Sequence, residues 1–230
     1  MTNAPRPCRT HPDLVAYQYP LPHLAEALKR QRRIKIIAIG SSSTAGANGV
    51  LPFPPRLEFA LRNDAAFYGR MIDVINRGIS GQEAPEEISR FECDVIAEAP
   101  VLVIWQVGTN AVFRNQDYNP DAVSAAISVG LDWLAPLPMD VVLMDVQYTQ
   151  AIVKTMDIAC NIEKRIEVAA DQAQVNLFRR FELMECWCTA DGVALADLDD
   201  GGEYNLHTGD WATNCVTQAL FGAMKAALFL

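Results

Sequence analysis

No stretch of the chain is long enough and free enough of charge to span a bilayer, and residues 1–33 hold no apolar run of the kind a signal peptide needs. The expectation is a soluble, cytoplasmic protein with no membrane span. Basic residues are in the minority, 19 Lys and Arg against 28 Asp and Glu. The resulting net charge of −9 argues against nucleic acid and anionic membrane surfaces as partners, and leaves a small neutral or cationic molecule easier to accommodate. One basic cluster, Lys29-Arg30-Gln31-Arg32-Arg33, reads as the solvated end of a helix, where positive charge is favoured by the helix dipole. The six cysteines lie far apart except for Cys186 and Cys188, so neither a dense disulfide scaffold nor a zinc ligand pattern is present. Reduced, mostly buried thiols are expected, with no metal and no cofactor. Glycine in dinucleotide-fingerprint spacing and the lysine of a phosphate loop are missing as well, which excludes the common nucleotide-binding turns.

What is present is a chain of 230 residues, half of them hydrophobic, enough for one core. Ile34 to Gly46 carries the strongest local signal: a β-branched run, then a small-residue turn with four consecutive hydroxyls, Ser41-Ser42-Ser43-Thr44. Further apolar strands are expected at Met71–Asn76, Val101–Val107, Asp140–Tyr148 and Val175–Phe178. Between them lie helical patterns: Pro54 or Pro55 to Tyr68 with Phe59 facing inward, Pro85–Glu98, Asn119–Leu134, and Ile152–Gln174. A helix over Leu21–Arg33 precedes the first strand, a short one spans Glu182–Trp187, and Asp210–Leu230 closes the chain. Five strands alternating with helix-length crossovers point to an α/β fold. The expected form is a three-layer α/β/α sandwich around a five-stranded parallel sheet of order 2-1-3-4-5. Residues 1–33 form an N-terminal arm and helix, and 34–230 a single domain.

Ligands of such sheets bind beyond the carboxyl ends of the strands, and three polar loops meet there: Gly40-Ser-Ser-Ser, Gly78-Ile-Ser-Gly and Gly108-Thr-Asn. A serine hydroxyl needs a base to become a nucleophile, and histidine suits neutral pH. His11 and His23 precede the first strand and read as surface residues, whereas His207 lies in the loop before the last helix, on the same edge as Ser42. Negative charge developing on a carbonyl oxygen needs donors, for which the Ser42 and Gly81 N–H groups and the Asn110 side-chain amide are placed. Taken alone, Asn110 is also an ordinary turn residue. Gln147 and Tyr148 either line a pocket or form a turn, Trp105, Met144 and Trp187 pack the core, and Asp210 caps the last helix.

These blocks resemble the SGNH (GDSL-type) hydrolase family of esterases and lipases. Gly40-Ser-Ser-Ser-Thr-Ala-Gly46 is similar to its first block, with Ser41 where aspartate usually stands. Asn76-Arg-Gly-Ile-Ser-Gly81, Gly108-Thr-Asn110 and Leu206-His207 followed by Asp210-Trp211 are similar to the second, third and fifth blocks. The resemblance implies the same sandwich and a serine esterase acting on a small-molecule ester through an acyl-enzyme. Ser42 would be its nucleophile, His207 its base, and Gly81 and Asn110 would belong to its oxyanion hole. The family's aspartate three residues before the histidine is here Tyr204. The nearby carboxylates Asp197, Asp199, Asp200 and Glu203, with Asp200 and Glu203 foremost, are candidates to orient the ring instead, as are a backbone carbonyl and the Asn205 amide. A second reading is a weak or inactive member of the fold that binds an acyl or glycan ligand or a protein partner.

Overall fold

A computed structural model describes residues 6–229, so the first five residues of the expected arm lie outside the described part. Five strands run parallel in the order β2-β1-β3-β4-β5: β1 (Arg33–Gly40), β2 (Met71–Gly78), β3 (Leu102–Gln106), β4 (Asp140–Met144) and β5 (Asn176–Phe178). Ten α-helices accompany them among the described residues. α1 (Pro22–Arg30) precedes the sheet; α2 (Ser42–Ala45) and α3 (Phe53–Asn63) follow β1; α4 (Ala84–Ile88) follows β2. α5 (Thr109–Phe113) and α6 (Pro120–Leu134) follow β3, and α7 (Gln150–Val153) and α8 (Met156–Ala173) follow β4. The chain ends in α9 (Arg180–Thr189) and α10 (Asp210–Ala227).

The two layers follow from the winding. α3 packs against α10 on one face, and α4, α6 and α8 pack in series on the other. β3 and β4 are buried along their whole length, as strands covered on both sides must be. Each large aliphatic side chain in them contributes about 1.5–3 kcal/mol by leaving water. Trp105, Met144 and Trp187 are fully buried, as expected of packing residues.

Several expectations are corrected. Phe59 points outward and is 72% exposed, because α3 turns Leu57 and Leu61 to the core instead. The helix expected over Pro85–Glu98 splits into α4 and a single π-helical turn at Glu92–Ile96. The long helix after β4 breaks at Lys154-Thr155 into α7 and α8. Asp210 does not cap α10: its carboxylate pairs with the Arg56 guanidinium, and Gly209 occupies the cap. His11 is not a free surface group but pairs with Asp191 at 2.7 Å.

The cysteines are not all reduced. Cys8 and Cys215 form a disulfide across 207 residues because the arm runs along the start of α10, and Cys93 and Cys160 are exposed rather than buried. Such bonds persist mainly in oxidising compartments. No helix among the described residues is long and apolar enough to cross a membrane.

Candidate active site

The turn that carries Ser42 is built by close approach. A Cβ on Gly40 would lie 2.6 Å from Thr44 Oγ1 and 2.9 Å from Gln106 Cβ, and one on Gly78 would collide with the Ala45 backbone. Glycine at both positions therefore lets α2 settle directly on the ends of β1 and β2. The Ile79 N–H donates to the Gly40 carbonyl at 2.9 Å, and Asn76 Nδ2 donates to the Thr44 carbonyl at 2.7 Å, tying the second loop to this turn. Ser42 begins α2, is 8% exposed, and places its Oγ 2.9 Å from His207 Nε2. Two residues 165 positions apart in sequence thus meet at hydrogen-bond distance.

His207 is held through its backbone by an antiparallel bridge to the 198–200 segment. The Asp200 N–H donates to its carbonyl at 2.9 Å, the Gly209 N–H donates to the Leu198 carbonyl at 2.8 Å, and Asp199 and Thr208 form an antiparallel bridge. Gln147 Nε2 donates to the Leu206 carbonyl, while Gln147 Oε1 accepts from Ser43 Oγ at 2.8 Å. Gln147, fully buried, thus joins the two halves of the site from below rather than lining a pocket, and Tyr148 packs edge-on against Phe181.

The carboxylate beside the imidazole is Asp200. Its Oδ2 lies 3.9 Å from His207 Nδ1, within ion-pair range but beyond a hydrogen bond. That carboxylate is itself fixed, accepting from Asn48 Nδ2 at 2.6 Å and from the Gly202 N–H at 2.8 Å. Glu203 is exposed and makes no ion pair with His207 among the described residues, Asp197 pairs with Arg6, and Asp199 accepts from the Gln150 N–H at 3.4 Å. Tyr204 is 59% exposed and packs against Phe113. Burial lowers the His207 pKa from its usual value, and the Asp200 charge offsets part of that shift. Asp199, half-buried, is pushed up to about 6, chiefly by desolvation.

The second and third loops are cross-linked. Asn110, nearly buried, donates through Nδ2 to the Gln82 carbonyl at 2.7 Å. The buried Glu83 carboxylate accepts from the Gly108 N–H at 2.7 Å, the Ala111 N–H at 2.9 Å and the Ala84 N–H at 3.0 Å. The Gly81 carbonyl accepts from Tyr118 Oη at 3.2 Å and Arg114 Nη1 at 3.3 Å, which holds the Gly81–Gln82 peptide, the one next to the peptide whose N–H is the expected donor. Beside Ser42 and His207 lies a cavity of only about 20 Å³, walled by Ala47, Val50, Pro52 and Thr213. Among the described residues no group of three or more His, Cys, Asp or Glu is arranged to hold a metal.

The sequence reading missed Glu83 and Gln106, and gave Gln147 only as a pocket-lining or turn residue. The only local signal for the last two was a polar residue at the end of an apolar strand.

The fold has counterparts among solved structures. An acetylxylan esterase from Geobacillus stearothermophilus superposes with a TM-score of 0.66 at 20% identity, over 83% of this chain and 94% of that one. A variant of the same enzyme, described as a catalytic mutant at an aspartate, gives 0.68 at 22% over the same shares. An alpha/beta hydrolase enzyme from the metagenome of Lake Arreo, Spain, gives 0.64 at 17%, over 83% and 96%. At these identities the likeness establishes the shared fold. No curated protein matches the chain. The Non-GDSL lipase-like family matches residues 7–228, nearly the whole chain. The chain belongs to the Non-GDSL lipase-like family.

Proposed function

We propose that the protein is a serine carboxylesterase of SGNH type that cleaves esters of short acyl groups. The observation that carries this reading is the 2.9 Å contact between Ser42 Oγ and His207 Nε2 with the Asp200 carboxylate behind the ring. In the tautomer with the proton on Nδ1, Nε2 accepts the Ser42 hydroxyl proton as Oγ attacks the ester carbonyl carbon. The lowered His207 pKa keeps the ring neutral, and so able to act, at pH 7. As the imidazolium forms, the Asp200 charge stabilises it across 3.9 Å, through space rather than through a shared proton.

The Ser42 N–H, the Gly81 N–H and the second hydrogen of Asn110 Nδ2 would receive the oxyanion. Collapse of the tetrahedral intermediate breaks the bond to the alcohol oxygen, which takes its proton from His207 Nε2. Water then attacks the acyl-Ser42 carbonyl, gives a proton to His207, and releases the acid as Ser42 regains its hydrogen.

The cavity beside Ser42 and His207, about 20 Å³, favours a short acyl group such as acetyl over a long chain. The acetylxylan esterase likeness points the same way. The binding-protein alternative rests on Tyr204 and on the serine at position 41, and the Asp200 carboxylate within ion-pair range of His207 favours the esterase reading over it.

The test is hydrolysis of p-nitrophenyl esters of graded chain length. Turnover of the acetate, falling by at least about tenfold toward the octanoate and absent in Ser42→Ala, is expected. A native rate equal to that of the alanine variant on every ester would refute the proposal.

A further inference from the structure

Gln106 ends the otherwise apolar strand β3 and is 1% exposed, a position where an amide is costly unless both its ends find partners. Both do. Its Oε1 accepts from the Ser41 N–H at 3.1 Å, from Ser41 Oγ at 3.0 Å and from Thr44 Oγ1 at 3.4 Å, residues that bracket Ser42 on either side. Its Nε2 donates to Thr109 Oγ1 at 3.4 Å, and the same oxygen accepts from Arg180 Nη2 at 3.4 Å. Thr109 is the residue before Asn110. Arg180 is itself buried and donates to the Asp145 carbonyl at 2.5 Å, so the chain of bonds ends on the rigid end of β4.

We infer that Gln106 is a positioning residue for the esterase reaction, its amide oxygen fixing the nucleophile turn and its amide nitrogen the loop that carries the oxyanion asparagine. The inference rests on the esterase reading of Ser42. It also explains the serine at position 41. A carboxylate there would set acceptor against acceptor at Gln106 Oε1, and the amide cannot turn its nitrogen to the carboxylate, because the Ser41 N–H needs the oxygen where it is. Ser41 and Gln106 are therefore a matched pair, and the turn tolerates the loss of aspartate because the strand end supplies the acceptor.

The experiment measures the rate at which a fluorophosphonate probe modifies Ser42, alongside kcat and KM for p-nitrophenyl acetate and thermal melting. The proteins compared are native, Gln106→Met, Gln106→Glu and Ser41→Asp. Gln106→Met keeps length without hydrogen bonds, and its labelling and kcat should fall roughly hundredfold, as for a reacting atom displaced by about an ångström. KM and the acid midpoint of the pH profile should stay put, because the acyl cavity and His207 are untouched. Gln106→Glu keeps the acceptor and should recover at least about tenfold of that loss. Ser41→Asp should label at least about tenfold more slowly than native and gives an independent reading should Gln106→Met not fold. Native-like labelling by the folded variants overturns the inference while leaving the esterase standing. No labelling of native Ser42 overturns the esterase reading and this inference with it.

Discussion

The two halves of the candidate site are held in place by different means. The Ser42 turn is braced from inside the molecule, by the close approach of Gly40 and Gly78 and by the buried amides of Gln106 and Gln147. The His207 loop is braced largely from outside. It leans on the 198–200 segment; the arm is tied to α10 by Cys8–Cys215, to Asp197 just before that segment by Arg6 at 3.2 Å, and to Asp191 just after α9 by Arg9 and His11. Trp187 Nε1 donates to the Arg9 carbonyl at 2.6 Å and Trp211 Nε1 to the Arg6 carbonyl at 2.8 Å, so the arm's backbone is held as well as its side chains. Ser42 is thus placed by local sequence and core packing, and His207 largely by long-range ties at the surface.

Substitutions can break that contrast. The largest effect on rate is expected from Asp200→Asn, which removes the charge behind the ring and leaves one amide oxygen to accept from either Asn48 Nδ2 or the Gly202 N–H, which in the native protein bond to separate carboxylate oxygens. A loss of about a hundredfold in kcat/KM should follow, less than for a hydrogen-bonded carboxylate because the charge acts across space. The sign of the pH effect is fixed: Asp200 raises the His207 pKa, so its removal moves the acid limb of the rate profile to lower pH. A limb that moves upward would contradict the assignment.

Cutting the external brace should act on stability first. Cys8→Ser, or reduction of the bond, should destabilise the fold by about 2–4 kcal/mol, read as a lower denaturant midpoint. The rate at 25 °C should fall by less than about tenfold, since the Asp199–Thr208 bridge remains. A larger loss of rate with no loss of stability would place the arm in the chemistry instead.

The smallest effect is expected at the buried acids behind β4, where Asp145 is pushed up to about 6 and Glu163 is raised further, both by desolvation first. A pKa raised by folding favours the folded state below its unfolded value, near 4, and that stability is lost as pH climbs through about 6. Glu163→Gln should therefore flatten the fall in melting temperature between pH 4 and pH 7, by a shift of roughly 1–3 °C. Parallel curves for native and variant would remove the pair from the pH dependence.

The same contrast governs what the amino-acid sequence reveals. Sheet order, strand positions and the meeting of Ser42 with His207 were legible because β-branched runs and small-residue turns are local patterns, and right-handed winding leaves few ways to connect them. Asp200 was only one of several candidates, because it reaches the ring through a bridge between Asp199 and Thr208 that no spacing rule encodes. The Cys8–Cys215 bond was missed outright, since cysteine spacing carries no information about partners at opposite ends of a chain. Gln106 looked like the last residue of a strand until its neighbours across the turn were in place.

The most direct test of the account is the pH dependence of Ser42 modification by a fluorophosphonate in native protein and in His207→Ala. The account predicts a native rate that falls with acid through a midpoint below the usual histidine value, and a slow, pH-independent rate in the variant. Equal rates in the two proteins would contradict it.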